Sequence, residues 1–461
     1  MSLSTFLDDA GSPSLEQCET VRAQAVELLE QICVHPATLP LQWLRDLHLC
    51  PSTFYRELLG IFAKFGDRHT QCQLPDPYLR TLVCLPFAVA CFFENRELRI
   101  GVTGSALDEL RPGDILTAWN GRSLDCVLHE HCALQLGANP EARLAKAIQT
   151  LPFRPLGTMQ APEDAPIHLD YTDRAGNNRR IQLAWQAGVL NVPLFASETD
   201  AEWNSEGSLR LRAIQTSSGE FGMIRIGSFY ENPPIFLQTF LKCLERLPQD
   251  GLVLDLRGCE EGFVITAEQL LQLFTDQKTS PQPFEFRATR TIREIVANIP
   301  AFREWRDAFE DGKDYSGPRP LTSCEQANGV GRKYFGPVVV LVDALTYSSA
   351  EMFAAGIQDH GIGTIVGIAS RTGGGGASPW SQQAICQFSG RDQFRPVPEA
   401  PSFRVAARRS RRVGKNSGRL LEGVGIEPDI MYSLNRDDFC NQDRKLLETV
   451  GEILAKNKNK R

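Results

Sequence analysis

Apolar residues recur at helical spacing over residues 14–65. In "SLEQCETVRAQAVELLEQICVH", Val21, Ala25, Leu28, Leu29 and Ile32 fall on one side, which predicts an amphipathic helix. "PSTFYRELLGIFAKFG" opens on Pro-Ser-Thr and reaches a glycine stop at Gly66, so it predicts another. The polar turn "DRHTQC" follows. From 76 to 190 the pattern shortens to strands and turns. "LRIGVTGS", "DILTAWNG" and "IQLAW" are strand-like, and "RAGNNRR" marks a hairpin turn. Residues 191–218 are polar and irregular and predict a boundary. Beyond it, solid apolar strands alternate with helices: "FGMIRIGSF", a helix near 234–247, "GLVLDLR", a helix near 265–275, "PVVVLVDA", a helix led by two serines, and "GTIVGIAS".

Strand-helix alternation with uniformly apolar strands predicts an α/β fold, its mainly parallel sheet covered by helices on both faces. Three units are expected: a helical segment 1–73 ending in the His69 turn, a β-rich unit 74–190 with an insertion, and an α/β domain 191–461. A length of 461 residues agrees with about three domains.

Composition narrows the function. With 42% hydrophobic and 23% charged residues the chain reads as globular, and a net charge of -7 argues against a nucleic-acid partner. The basic run "RRSRRVGK", 408–415, reads as a solvated strand edge or a substrate rim. No run of about 18 apolar residues and no leader pattern is visible, so no membrane span or export signal is expected. Thirteen cysteines without metal spacing then point to reduced thiols in a cytoplasm. "HEH" sets His129 and His131 on one strand face without a third ligand, so no metal is expected, and no other cofactor. No "GK[ST]" follows the glycine run 373–376. It reads instead as a place of close backbone approach, making Gly373, Gly374 and Gly375 candidate substrate-binding residues.

The chemistry centres on "LTYSSAEMFAAGIQDHG", 345–361. Ser348-Ser349-Ala350-Glu351 fits a capping box, which needs no catalytic role. The same serine stands where a buried strand meets a helix N-terminus, whose free N–H groups suit a developing oxyanion. A hydroxyl there still needs a base. His360 lies at the far end of the helix, about 18 Å away at 1.5 Å per residue, and is rejected.

Four stretches together resemble one family. "VVVLVDALTYSSAEMFAAGIQDHGIGTIVG" is similar to the active-site segment of the C-terminal processing (tail-specific) peptidases and of the tricorn protease core. "GLVLDLRGCEEG" resembles their oxyanion loop, "LLEGVGIEPDI" their Gly-Val-x-Pro-Asp segment, and "LDELRPGDILTAWNGRSL" a PDZ domain's turn-strand-turn. The resemblance implies a ClpP/crotonase-like serine peptidase domain with Ser348 as nucleophile and oxyanion N–H groups from Ser349 and the Gly258–Cys259 loop. It also implies a PDZ-like unit that takes an extended peptide. Two departures stand out. The lysine base of the tail-specific peptidases falls here at Gly373, and nearby Arg371 cannot deprotonate. Gly258, Cys259, Glu260 and Glu261 replace the usual Asn and glycines. The tricorn branch supplies a different base: "FGDRHTQC" matches its histidine at His69, and Glu422 matches its glutamate, although Arg68 stands where tricorn has a serine. Neutral imidazole accepts a proton near pH 7, and a carboxylate can fix its tautomer. Asp67 is an alternative orienter or a turn cap.

The expectation is hydrolysis of peptides or unfolded protein segments through Ser348, His69 and Glu422. The alternatives are a catalytically inactive peptide- or ligand-binding relative on the same fold, and an esterase or amidase.

Overall fold

The computed structural model describes residues 1–35, 38–189 and 203–459. The N-terminal helices form as their pattern demands. Ser14 Oγ accepts the Gln17 N–H while the Gln17 side chain accepts the Ser14 N–H, so a full capping box starts the Leu15–Gln31 helix. Its buried stripe includes Val21, Ala25, Leu28 and Leu29. Pro51 starts the Pro51–Phe62 helix, and Gly66, at φ +65°, ends the turn that follows it.

The strand and helix alternation builds a seven-stranded sheet. Its order is Asn204–Glu206, Leu209–Thr216, Gly219–Ile226, Leu252–Asp255, Val338–Val342, Thr364–Gly367 and Ile430–Met431. The two pairings among the first three strands are antiparallel, and the other four are parallel. Every residue of Leu252–Asp255 and Val338–Val342 is buried, because both faces are covered. Leu252, Leu254, Val338 and Val340 pack with Phe240, Leu270 and Phe353 of three helices on one face. Val253, Val339 and Leu341 pack with Leu446, Val450 and Leu454 of the Arg444–Lys458 helix on the other. The alternation is the period of two expected of a strand.

The remaining three sheets are antiparallel. One five-stranded sheet matters most to the site. In it Gln71–Gln73 pairs with Ser402–Arg404, which ties the turn after the N-terminal helices to the C-terminal third of the chain. A six-stranded sheet spans Phe87–Leu183, and a three-stranded one joins Gln186–Val189, Thr81–Cys84 and Phe153–Pro155.

Several expectations are corrected. The fold is mixed α/β, but its sheets taken together are largely antiparallel, since parallel pairing is confined to one of them. The apolar runs announced those parallel strands, and the half-exposed strands elsewhere carry no such signal. Residues 204–216 are strands rather than irregular; the expected boundary at 190–191 lies outside the described residues. The basic run is not a solvated edge. Ser402–Ser410 pairs on both sides. Arg408 is buried among Phe284, Phe286, Phe302 and Trp380, and Arg412 is buried on Asp359. "HEH" lies on the Leu124–Cys132 helix, where His131 bonds Thr150 and Gln135. Among the described residues no three side chains are grouped as metal ligands, and no helix is long and apolar enough to cross a membrane.

The serine-led helix is held by its apolar face. Phe353 is wholly buried against Phe229 and Phe274. Phe353→Ala should therefore cost about 3–5 kcal/mol of folding stability, read as a lowered urea midpoint. A loss below about 1 kcal/mol would mean that this helix is not docked as described.

Candidate active site

The strand Val338–Val342 ends in a turn built on Asp343. Its Oδ1 accepts N–H groups from Gly258 and Leu345 and the Thr346 hydroxyl, each at 3.0 Å. Thr346 Oγ1 lies 3.0 Å from the Leu256 carbonyl as well, and Tyr347 N–H donates to Cys259 O at 3.0 Å. The turn into the helix is thus fastened to the "DLRGCEEG" loop beside it.

The two serines part company at this turn. Ser349 is buried and its hydroxyl donates to Gly262 O at 2.6 Å. Ser348 is partly exposed and has φ +54°, a left-handed conformation that a non-glycine residue adopts at a cost. Among the described residues its hydroxyl makes no hydrogen bond, while its N–H donates to Gly375 O at 3.1 Å. The capping box does not form: Tyr347 is the N-cap and no side chain caps the helix. Glu351 turns away to accept the Thr372 hydroxyl and the N–H groups of Gly374 (2.8 Å) and Gly375 (2.7 Å). Burial pushes its carboxyl up to about 7.

His69 reaches this turn through Tyr347. The two rings lie 4.8 Å apart, centroid to centroid. The Tyr347 hydroxyl donates to Asp67 Oδ1 (3.3 Å) and accepts the Arg68 N–H (3.2 Å). Asp67 in turn accepts the His69 N–H at 2.9 Å and the Thr70 hydroxyl at 2.7 Å. It both caps the turn and stands 4.0 Å from His69 Nδ1. That nitrogen is buried without a hydrogen-bond partner. Burial pushes the imidazole down to about 3, so His69 is neutral at physiological pH.

Glu422 shares this buried cluster without touching the imidazole. Its Oε2 accepts the Ser410 N–H at 3.0 Å, and its Oε1 is buried unpartnered. Burial, reinforced by Asp67 and Glu351, raises its carboxyl well above the usual range. Among the described residues Asp67, not Glu422, is the carboxylate within ion-pair reach of His69.

Other expected roles are also revised. The Gly258 N–H is taken by Asp343 and the Cys259 N–H by Leu256 O at 3.0 Å, so neither points at an oxyanion position. The first helical N–H groups, beginning with Ser349, have no acceptor within the helix. A Cβ on Gly373 or Gly375 would collide with the Tyr347 ring, and one on Gly374 would press on Gly423. The three glycines therefore make room for the protein itself. His360, set aside as a base, accepts the Ser280 N–H at 3.2 Å.

Two features carry no sequence signal of their own. Tyr347 is one, an ordinary tyrosine until its partners assemble. The other is a rim of ion pairs. Arg68 pairs with Glu260, which also meets Lys146 Nζ at 3.7 Å, and Arg404 meets Glu261 at 3.4 Å. Burial, with Arg68 nearby, pushes Lys146 down to about 8. A cavity of about 850 Å³ opens elsewhere, lined by Leu98, Ile100, Leu116, Leu124 and Arg174, away from Ser348.

Residues 220–432 match the model for Peptidase family S41. The solved structure of mature CPAF is 16% identical, with a TM-score of 0.72 over 96% of this chain and 98% of that one. Mature CPAF complexed with lactacystin is likewise 16% identical, with a TM-score of 0.70 over 97% and 100%. The photosystem II D1 C-terminal processing protease is 14% identical, with a TM-score of 0.43 over 95% and 97%. At these identities the likeness is one of fold. No curated protein matches the chain.

Because the Gly375 Cα faces the ring, Gly375→Ala should destabilise the protein by about 1–3 kcal/mol in urea denaturation. In a Tyr347→Leu background most of that cost should vanish. An equal cost in both backgrounds would show that the ring is not what requires the glycine.

Proposed function

We propose that the protein hydrolyses peptide bonds through an acyl-enzyme on Ser348, with His69 as general base. The observation that carries this reading is the pairing of an accessible, left-handed serine with an imidazole packed on the adjoining Tyr347 ring. Ser348 Oγ attacks the carbonyl as His69 takes its proton. Asp67 stabilises the imidazolium that forms, and His69 returns the proton to the leaving amine. Ser349 N–H, at the positive end of the helix, meets the oxyanion. Gly258 or Cys259 adds a second donor only on leaving its present acceptor. Water reverses the sequence and frees the acyl product. Glu422 acts from its buried place on the Ser410 amide rather than as the histidine's direct partner. Extended peptides or unfolded segments are the substrates, and the β-rich unit 74–190, read as PDZ-like, guides them.

A fluorophosphonate probe should label the wild type and not Ser348→Ala. Absence of labelling from pH 6 to 9 would favour a binding protein on the same fold, a reading supported by the occupied Gly258 and Cys259 amides.

The low pKa of His69 fixes a sign. The free imidazole stays an acceptor as pH falls through 6.5, so its acid limb in kcat/KM should lie well below that free value. A limb at 6.5 or above, or unchanged turnover in His69→Ala, would remove His69 as the base.

The two acids should also separate. Asp67→Asn should lower kcat about a hundredfold or more by leaving the imidazolium unpaired. Glu422→Gln changes a group that makes no direct contact with the imidazole and should cost less than about tenfold. The reverse ranking would restore Glu422 as the orienting carboxylate.

A further inference from the structure

Two aromatic rings stand exposed beside the candidate nucleophile. They are there because Phe229 and Gly262 form a short parallel bridge, in which Phe229 N–H donates to Glu261 O and Phe263 N–H to Phe229 O, both at 3.0 Å. Neighbouring residues of extended backbone face opposite ways. Phe229 is buried against Phe236 and Phe353, and Gly262 lies so close to it that a Cβ would collide with Phe229. Their successors, Tyr230 and Phe263, are thereby turned outward. They are 59% and 42% exposed, with ring centroids 5.5 Å apart.

Single exposed apolar residues are ordinary, whereas a contiguous aromatic pair beside a candidate site asks for an occupant. The position of this pair names one. The Gly262 carbonyl, next to Phe263, holds the hydroxyl of Ser349, and Ser349 is bonded to Ser348. Phe263 Cα is therefore no more than roughly 12 Å from Ser348 Cα, a reach of three or four extended residues. The charged groups elsewhere on the rim are paired with one another: Arg68 and Lys146 with Glu260, and Arg404 with Glu261. What remains for a substrate side chain on the 262–263 side is an apolar surface.

We propose that Tyr230 and Phe263 form a subsite that receives an aromatic or branched aliphatic side chain of the peptide presented to Ser348. The inference rests on the peptidase reading and deepens it by naming the side-chain class. The rings are anchored through Phe229 to the core and through Gly262 to the serine-led helix, so they are set at a fixed distance from the reacting hydroxyl. The apolar side chain is desolvated against them as the scissile carbonyl arrives.

The test uses a fluorescent peptide series in which Phe, Leu or Ser is placed at each of the four positions on either side of the scissile bond. In the wild type, Phe or Leu at one position should raise kcat/KM about tenfold or more over Ser. Phe263→Ala and Tyr230→Ala should each shrink that ratio severalfold, and Phe263→Leu should keep most of it. Binding of the same peptides to full-length Ser348→Ala, followed by fluorescence polarisation, should show the same preference and the same losses when either ring is removed. A wild type that treats Phe, Leu and Ser alike at every position overturns the subsite, as does a preference untouched by removing both rings. Ring-dependent binding to Ser348→Ala without any hydrolysis by the wild type would keep the subsite and sink the nucleophile, so the two failures are told apart.

Discussion

The burial of one phenol ring holds the candidate site together. Tyr347 packs on His69, bonds through its hydroxyl to Asp67 and Arg68, and donates its N–H to Cys259. Gly373 and Gly375 lie against its ring. Four segments that are remote in sequence thus meet at one side chain, next to the serine it precedes. A buried hydroxyl without partners would be costly, and here both donor and acceptor capacities are used. The glycines then follow as a steric requirement. A run that reads in sequence as room for a substrate is room for the ring.

Around that ring lie three buried acids, and their environments separate them. Asp67 accepts an amide and two hydroxyls close to His69. Glu351 accepts two glycine amides and the Thr372 hydroxyl, yet its burial holds it near 7. Glu422 has one amide and an unpartnered oxygen, and burial with two like-charged neighbours raises it furthest. Three carboxylates this close cannot all be ionised at low cost. Of the three, Asp67 is the one that stands within ion-pair reach of the imidazole.

Much of this was legible in the sequence, and the limits have physical causes. The apolar strands, the serine-led helix and the amphipathic N-terminal helices follow from periodicity alone. Ser348 and His69 are proposed from motif order, and Tyr347 links the segments that carry them. The antiparallel character of the other sheets was hidden because half-buried strands look alike whichever way they pair. The basic run misled for a different reason. Charge runs usually mark solvent, whereas Arg408 is enclosed by aromatic rings and Arg412 by Asp359, partners more than a hundred and some fifty residues distant. Asp67 caps its turn as its local position suggests, while its approach to the imidazole depends on the fold of the turn.

The altered loop at 258–261 shows how side chains can replace what glycines usually do. A glycine-rich loop places its amides through backbone freedom. Here Glu260 and Glu261 carry charge instead, and each is met by a cation from a different part of the chain: Arg68 and Lys146 for the first, Arg404 for the second. The loop is therefore pinned at its rim by ion pairs and at its base by Asp343, which holds the Gly258 amide. Pinning of this kind fixes the strap that follows, and with it Gly262 and the outward rings of Tyr230 and Phe263. The residues that stand where the resemblance expects glycines thus set the geometry of this side of the serine-led turn, next to the free N–H groups at the helix start.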